Sequence, residues 1–371
     1  YSDHMGALNH IRYGTEANDS FRAIWNNNIN KRWSHQLYVL DNHHKTKYDG
    51  NLPYDRYLTD VKTRAIGDQV TYKAKNQTVV GGFDWRQDKV VNMGGVKLTN
   101  ASYFIQDEWK FAPKWTVTPG IRIDHHSSFG THTSPSISLG YDVNAKTNVY
   151  AAYKEYFLAP TPYQLFDGFN GNRNLKPETG HEWSIGVHHK FGKTWNSNLS
   201  FFSRSTKDKI GWATNPATGT VQYQNFDTEK AHGINADVRK QLTKHLSARL
   251  GYTYTHIDAT PTRKANRDGY VPKHAVNAGL DYNDAKWDAH LDIRGVIDRP
   301  GPAANIFPRT TYWITDISAN YRVRENVTVF GRVNNLFDTY YAEQSNVRWG
   351  NAGDWWPGQG RNFRLGVEVT I

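Results

Sequence analysis

The chain of 371 residues contains no cysteine and only two methionines. Without cysteine there is no disulfide scaffold, no thiol chemistry and no metal site built on thiolates. No apolar run reaches the roughly 18 residues that a transmembrane helix needs, so the sequence predicts no such helix. The chain begins Tyr1-Ser2-Asp3-His4 and has no apolar signal segment. We therefore expect a processed or trimmed chain, or part of a longer one.

Signals for catalysis and for nucleic-acid binding are also missing. The sequence has no Gly-x-Ser-x-Gly, His-Glu-x-x-His or phosphate-binding glycine loop, so we predict no enzyme, no cofactor and no resident metal. Lys and Arg number 45 against 35 Asp and Glu, which gives a net charge of +10. Because these basic residues are scattered, we predict no nucleic-acid partner. Attraction to anionic lipid headgroups or anionic ligands explains the charge as well.

Aromatic residues are abundant, with 22 Tyr, 16 Phe and 13 Trp, although only 38% of the chain is hydrophobic. In a transmembrane β-barrel only every second residue of a strand faces lipid, and aromatic girdles mark both interfaces. A water-soluble β-protein is the alternative. The barrel is favoured because apolar and polar residues alternate along nearly the whole chain.

The last strand shows this alternation most clearly. Its polar residues are separated by a regular apolar series, Phe363, Leu365, Val367, Val369 and Ile371. The same pattern predicts another strand over residues 286–297. Its lipid-facing residues would be Trp287, Ala289, Leu291 and Ile293, with Asp288, His290, Asp292 and Arg294 on the other face. In total we predict about 17 strands, the first two near 21–29 and 36–44.

Short turns alternate with long polar loops along the chain. The predicted loops are 50–56, 130–134, 160–180, 215–220, 260–270, 298–309 and 341–358. Outer-membrane barrels have tight periplasmic turns and larger extracellular loops. If the last strand ends in the periplasm, every short turn lies there and every long loop lies outside.

Two segments resemble the TonB-dependent outer-membrane receptors. The run Val333, Asn334, Asn335, Leu336, Phe337, Asp338 and Tyr341 resembles the motif that this family carries before its last strand, and residues 357–363 resemble its approach to that strand. In the segment 150–178, the matching residues are Tyr156, Phe157, Ala159 and Pro160, followed by Asn174, Leu175, Pro177 and Glu178. That segment is similar to the outer loop of haem and siderophore receptors.

The resemblance implies an all-β fold, a transmembrane antiparallel β-barrel with about 17 strands in this chain of a probable 22-stranded barrel. Residues 1–371 would be its barrel region. The family's N-terminal plug, through which transport is coupled to the TonB complex, is not seen in this chain, and neither are the first strands. Because 17 antiparallel strands cannot close without a parallel pair, we expect a second polypeptide or an upstream segment to complete the barrel and supply the plug.

The resemblance also implies a function, which is uptake of a ferric siderophore or similar iron chelate across the outer membrane. A haem receptor and a plugless porin-like or structural barrel component are the alternatives. Leu158 stands where the family usually has Arg or Lys, and no His lies between Phe157 and Asn174, where haem-specific members place an iron ligand. His125, His126 or His132 could take that role instead.

Aromatic and arginine side chains in the outer loops are the candidate ligand contacts, because these residue types dominate binding hot spots. They are Tyr163, Phe166, Phe169 and Arg173 in one loop, and Arg348, Trp349, Trp355 and Trp356 in the last loop. A flat, anionic chelate suits such a surface. The tryptophans could instead form an interfacial belt. For Asn174, Leu175 and Glu178 we expect a role in stabilising the fold.

Overall fold

The computed structural model describes residues 12–50, 56–168, 170–214, 219–258, 271–299, 311–345 and 355–370. These residues form nineteen β-strands, one short α-helix, α1 (Pro162–Phe166), and a 3-10 turn, Val91–Met93. No helix of the described part is long and apolar enough to cross a bilayer. The predicted all-β class is confirmed.

Seventeen strands belong to one sheet, as the sequence predicted. The first nine are β1 (Arg12–Asn28), β2 (Trp33–Gly50), β3 (Tyr57–Lys73), β4 (Gln77–Val90), β5 (Val96–Ala112), β6 (Trp115–His126), β7 (Gly130–Asn144), β8 (Thr147–Leu158) and β9 (Glu178–Phe191). The other eight are β10 (Trp195–Thr214), β11 (Val221–Gln241), β12 (Leu246–Asp258), β13 (His274–Asn283), β14 (Trp287–Ile297), β15 (Tyr312–Arg324), β16 (Val327–Asn334) and β19 (Asn362–Val369). Two short strands, β17 (Ala342–Ser345) and β18 (Trp355–Pro357), form a separate ladder.

The chain divides into two compact units. Unit 1 contains residues 1–139, 152–181 and 206–227, and unit 2 contains residues 140–151, 182–205 and 228–371. Strands β1–β6 lie wholly in unit 1, strands β12–β19 lie wholly in unit 2, and β7–β11 contribute residues to both.

One face of unit 1 carries a polar ladder. Tyr38, Gly67, Asp84, Ser102 and Asp124 stand directly opposite one another on five successive strands, β2 to β6. The Tyr38 hydroxyl donates to Asp84 at 2.9 Å. Arg122, next to this rung on β6, donates to Asp84 at 3.2 Å and to the Ser102 hydroxyl at 2.6 Å. We call this the polar face of unit 1.

The opposite face of these strands, the apolar face of unit 1, is exposed and hydrophobic. Phe83 stands opposite Tyr103, and Tyr103 stands opposite Ile123, with Ile105 and Ile121 one rung away. All five side chains are exposed. Polar residues on one face and exposed apolar residues on the other are the alternation of a membrane barrel, with the apolar side turned to lipid.

Unit 2 shows the same alternation. Leu291 of β14 stands opposite Leu280 of β13 and Ile317 of β15, so the three share an apolar face. On the other face His290 stands opposite Asp281 and bonds its carboxylate at 2.9 Å. The predicted division of β14 into two faces therefore matches the strand register.

Aromatic pairs flank the short turns. The ring centroids of Trp33 and Tyr72 lie 4.6 Å apart, those of Phe191 and Trp195 lie 6.0 Å apart, and those of Trp287 and Tyr321 lie 4.7 Å apart. The turn between β5 and β6 is flanked by Trp109, Phe111 and Trp115. Such rings at strand ends are typical of an interfacial girdle.

Four sequence-based assignments differ from the structure. Residues 130–134, predicted as a loop, begin strand β7, where Thr131 and Thr133 suit an extended backbone. The strand predicted over 326–340 ends at Asn334, because Asn335 and Asp338 both take a left-handed conformation with φ 51°. The predicted loops 160–180 and 341–358 contain α1 and the β17–β18 ladder.

The other predicted loops lie mainly or partly outside the described residues. These are 50–56, 215–220, 260–270 and 298–309.

Candidate functional site

The loop between β8 and β9 starts with a helix that its own sequence caps. The Thr161 hydroxyl accepts the N–H of Gln164 at 3.2 Å, and the Gln164 side chain accepts the N–H of Thr161 at 2.8 Å. Pro162 follows at the first helical position, where its missing N–H costs nothing. This capping box explains why a helix of only five residues forms within the loop.

A small apolar core lies beneath this loop. Leu165 of α1 and Leu175 pack against Leu98 of β5 and Ile210 of β10, and all four are buried. Phe129, Phe166 and Tyr223 pack around them. The loop is therefore a folded cap that rests on the ends of several strands of unit 1.

Polar bonds fix the rest of the loop to β11. Asp167 is buried and accepts the N–H of Asn170 at 2.9 Å. The carbonyl of Asn170 accepts the N–H of Tyr223 at 2.9 Å, and the Asn172 amide donates to the Tyr223 carbonyl at 2.8 Å. Asn225 of the same strand bonds both the N–H and the carbonyl of Lys176, at 2.8 Å and 2.9 Å.

Glu178, the last residue of the loop motif, is buried at the start of β9. Its carboxylate accepts the ammonium of Lys209 and the backbone N–H of Ile210, each at 2.9 Å. Leu175 is buried in the core described above, whereas Asn174 is exposed and donates its N–H to Asn172. These contacts give Leu175 and Glu178 positions from which they support the loop, while Pro177 is half-buried between them.

Three tyrosines meet at the exposed side of the helix. The ring of Tyr163 lies 6.2 Å from that of Tyr57 and 6.1 Å from that of Tyr223. Burial, followed by the nearby Asp167 carboxylate, raises the pKa of Tyr163 well above its usual value. Its phenol therefore stays protonated, although 37% of the side chain remains accessible.

Arg173 completes this surface. Its guanidinium lies 5.4 Å from the centroid of the Phe166 ring, and the arginine itself is exposed. Stacking on a ring face fixes the direction of a guanidinium without neutralising it. We call Tyr57, Tyr163, Phe166, Arg173 and Tyr223 the aromatic cap. Phe169 lies outside the described residues.

The candidate histidines lie at the neighbouring β6–β7 connection. His125 is exposed and His126 is buried, as alternation along a strand requires. The ring of His126 accepts the N–H of Ser128 at 3.1 Å and packs 4.8 Å from Phe129, which also contacts the core under the cap. His132 stacks on Phe157 at 4.0 Å. Among the described residues no group of three possible metal ligands occurs.

The C-terminal motif forms a tight junction in unit 2. Asn335 is buried, accepts the N–H of Thr339 at 2.8 Å and donates to the carbonyls of Thr339 and Gln359 at 2.9 Å and 3.1 Å. Its own N–H donates to Asp316 of β15 at 2.7 Å. Asp338 accepts the N–H of Arg361 at 2.8 Å.

The remaining motif residues surround this junction. Asn334 donates to Asn362 at the start of β19, and the N–H of Leu336 donates to Thr315, each at 2.8 Å. Phe337 is exposed. The motif thus joins β15, β16 and the approach to β19.

Of the candidates in the last loop, the backbones of Trp355 and Trp356 lie in β18, where they pair with β17. Arg348 and Trp349 lie outside the described residues. Sequence reasoning missed Tyr57, Tyr223 and Asn225, because each lies on a strand far from the loop in sequence and only the packing of the cap brings it close.

Residues 2–336 match the family described as "TonB dependent receptor-like, beta-barrel". The iron-regulated outer membrane virulence protein of Vibrio cholerae is 28% identical over 317 residues, which cover 78% of this chain and 47% of that protein. The vitamin B12 transporter BtuB of Photobacterium profundum is 26% identical over 284 residues, covering 70% of this chain and 43% of the transporter. The chain thus spans less than half the length of these relatives.

A structural relative supports the same fold. A variant of the ferric enterobactin receptor PfeA of Pseudomonas aeruginosa superposes with a TM-score of 0.74 and 18% identity, covering 96% of this chain and 62% of that one. At this identity the likeness shows the fold alone. The family match covers most of the chain, and the alternating strands and the junction built by the C-terminal motif agree with it. The chain therefore belongs to the TonB-dependent receptor β-barrel family and is an integral protein of the bacterial outer membrane.

Proposed function

We propose that the chain is the barrel region of a receptor for a ferric siderophore or a similar iron chelate. The aromatic cap carries this proposal, because it offers ring faces and an oriented guanidinium at the loop end of unit 1. The names of two similar proteins, an iron-regulated outer membrane protein and a ferric enterobactin receptor, support iron as the cargo.

The cap suits a chelate whose iron is already fully ligated. Because the pKa of Tyr163 is raised, its phenol acts as a neutral hydrogen-bonding group rather than as a phenolate ligand for iron. Arg173 supplies the positive charge that an anionic chelate needs, and the rings supply flat apolar contact. Recognition would therefore act on the organic shell of the chelate.

Haem fits the described residues less well. A haem receptor would need a histidine nitrogen directed at the iron. One ring nitrogen of His126 accepts a backbone N–H, and a ring nitrogen of His125 is hydrogen-bonded to Thr131 at 2.9 Å, so each ring has its other nitrogen left for iron, but neither histidine belongs to the aromatic cap. His132 is stacked on Phe157, and one of its ring nitrogens is bonded to the Phe129 carbonyl at 3.0 Å.

Titration of ferric siderophores, haem and vitamin B12 against alanine variants tests the proposal. Tyr163→Ala, Phe169→Ala, Arg173→Ala and Trp355→Ala are made singly, with the exposed Arg324 near a short turn changed to Ala as the control. We expect Tyr163→Ala and Arg173→Ala each to weaken binding of an iron chelate by about tenfold or more, the range of interface hot spots. The control should bind like the parent.

The proposal fails if none of the four variants weakens binding of any ligand that the parent binds. It also fails if the parent binds haem or vitamin B12 and no iron chelate. Passage of small solutes without saturable binding would indicate the porin-like alternative.

We also propose that this chain closes its barrel together with strands from another polypeptide or from a longer form of itself. An antiparallel sheet of 17 strands has first and last strands that point the same way, so an odd number of further strands is needed for antiparallel closure. Five would give the 22 strands that the family resemblance implies. The plug and its coupling to the TonB complex would come from the same source.

The exposure of the first and last strands of the sheet supports this proposal. On β1 both faces are exposed, with Phe21 63% accessible on one face and Ile24 45% on the other. On β19, Phe363, Leu365 and Val367 are 70%, 84% and 62% accessible, and every residue of the strand except Asn362 and Gly366 is exposed. A further strand beside β1 and another beside β19 would reduce this exposure.

A further inference from the structure

A row of three lysines lies at the loop end of the apolar face of unit 1. Lys62 of β3 stands directly opposite Lys89 of β4, and Lys89 stands directly opposite Lys97 of β5. All three are exposed, while the residues that follow them, Thr63, Val90 and Leu98, are buried on the other face. We call Lys62, Lys89 and Lys97 the lysine row.

The positively charged side chains of the lysine row repel one another. Like charges directly opposite on neighbouring strands destabilise a sheet, by up to roughly 1 kcal/mol for each pair. A strand surface that is only structural would usually place opposite or uncharged partners in these positions. An arrangement of three matched cations is therefore typical of a surface that meets an anion.

Carboxylates on the same face do not neutralise the row. Asp41 bonds Arg64 at 2.9 Å, and Asp60 bonds His43 at 2.9 Å. Within the described part of the chain, the ion pairs involve none of the three lysines. Among the described residues, therefore, no carboxylate is paired with these three charges.

The distance between the lysine row and the tryptophans at the other end of the strands matches the thickness of the apolar band of a membrane barrel. Lys97 and Trp109 belong to the same strand and stand twelve residues apart. At about 3.3 Å per residue and a tilt near 45°, that distance corresponds to about 28 Å along the membrane normal. The apolar band of an outer-membrane barrel is about 25 Å tall. With Trp109 and Trp115 at one interface, the row falls at the headgroups of the opposite leaflet.

We propose that the lysine row binds the phosphate groups of an anionic glycolipid in the outer leaflet, while the apolar residues below contact its acyl chains. Lysine is a compact point charge that binds phosphate well, and basic residues near a membrane surface attract anionic headgroups. Three strands spaced about 4.8 Å apart place the outer lysines about 10 Å apart, so a headgroup with more than one phosphate can span the row. The Gln87–Thr99 side-chain hydrogen bond, 3.3 Å long, lies one rung below and adds uncharged polar groups.

This site is separate from the aromatic cap, because it lies on the lipid-facing side of the strands. It does not depend on which ligand the receptor takes up. A failure of the siderophore proposal would leave it untouched.

Native mass spectrometry of the purified protein in nanodiscs tests the proposal. The probes are a glycolipid with phosphates on both sugars, the same glycolipid after enzymatic dephosphorylation, and inorganic phosphate. The test variant carries Lys62→Gln, Lys89→Gln and Lys97→Gln. The matched control carries Lys146→Gln, Lys193→Gln and Lys244→Gln, three exposed lysines at short turns, and so loses the same charge.

We expect the parent and the control to retain the phosphorylated glycolipid and the test variant to bind it on the order of 100-fold more weakly. The dephosphorylated glycolipid should bind the parent about as weakly as the phosphorylated one binds the test variant. Equal retention by the test variant and the parent would overturn the proposal. So would equal binding of the two glycolipids, or displacement of the glycolipid by millimolar inorganic phosphate, which would indicate a simple anion site.

A stability measurement gives an independent check, because the three substitutions remove repulsion. In neutral detergent the test variant should unfold at a temperature equal to or above that of the parent. After addition of the phosphorylated glycolipid the order should reverse, since only the parent gains stability from binding. An unchanged order in both conditions would contradict the proposal.

Discussion

Two buried polar side chains, Glu178 and Asn335, show what single residues contribute to this fold. Each satisfies backbone groups at the end of a strand. Glu178 accepts the N–H of Ile210, and Asn335 bonds Thr339 and Gln359. A buried donor or acceptor without a partner costs about 1–3 kcal/mol, so these bonds decide where the chain can leave the sheet. Both residues belong to segments that resemble the receptor family, and a structural role explains their presence there.

Asp284 in the β13–β14 turn provides a test by pH. Its carboxylate accepts the N–H groups of Trp287 and Lys286 at 2.7 Å and 2.8 Å and the Tyr282 hydroxyl at 2.7 Å. These bonds, the one from Trp287 above all, lower the pKa of Asp284 to about 2. Because the pKa is lower in the folded protein than in the unfolded chain, the stabilisation is complete above about pH 4 and disappears as the pH falls through about 2.

Hydrogen exchange at the Trp287 amide can follow this loss. Protection in the parent should fall between pH 4 and pH 2 after correction for intrinsic exchange. In Asp284→Asn protection should be lower at neutral pH and should change little over that range. The exposed Glu325 at another short turn, changed to Gln, serves as control and should behave like the parent. A parent whose corrected protection is constant from pH 4 to pH 2 would rule out this role of Asp284.

At the scale of elements, the alternation of each strand and its register act together. Alternation gives a strand two faces, and register decides which faces of neighbouring strands combine. The rung from Tyr38 to Asp124 combines polar residues of β2, β4, β5 and β6, and the rung through Leu291 combines apolar residues of β13, β14 and β15. A slip of one residue at any pairing would place charges in lipid.

Leu291→Arg tests the lipid-facing assignment. The apolar rung that Leu291 shares with Leu280 and Ile317 leads us to expect a loss of about 2–4 kcal/mol in the free energy of unfolding in lipid, if the residue lies near the midplane. Asn320→Arg is the matched control, because Asn320 stands opposite Asp288 on the polar face. Denaturant unfolding in vesicles should show a much smaller loss for the control. Equal stability of Leu291→Arg and the parent would contradict the assignment.

At the scale of the whole molecule, the first and last strands of the sheet differ from the rest. β1 pairs with β2 over its full length and β19 pairs with β16 over its full length, yet side chains on both are highly exposed. Exposed strand edges are not stable in hydrocarbon, since unpaired backbone groups there cost several kcal/mol each. If further strands complete the sheet, as proposed above, uptake by a receptor of this family would depend on what supplies them.

Hydrogen exchange can compare this chain expressed alone with the protein purified from outer membranes. If further strands complete the sheet, alternate amides of β1 and β19 should exchange rapidly in the chain alone and slowly in the native protein. Amides of β13 and β14, which pair with each other, serve as an internal control and should be protected in both. Intact mass spectrometry of the native preparation should find a longer polypeptide or a second one. Slow exchange of β1 and β19 in the chain alone would show that it closes by itself.

The sequence by itself determined the all-β class, the number of strands in the sheet and the two faces of strands such as β14. These features follow from a period of two residues, which is written locally and needs no knowledge of distant contacts. It also indicated the family, through two short motifs. It failed where local signals compete, as in residues 130–134 and at Asn335, where a hydrogen-bonded left-handed turn ended a strand that the apolar pattern would have continued.

Only the tertiary structure decided which distant residues meet. Tyr57 and Tyr223 join Tyr163 because the packing of Leu165 and Leu175 seats the loop on the ends of three strands. Lys62, Lys89 and Lys97 form a row because the register of β3, β4 and β5 places them opposite one another. Neither arrangement is visible in a linear pattern, because each depends on strand pairing over tens of residues, and a shift of one residue would abolish it.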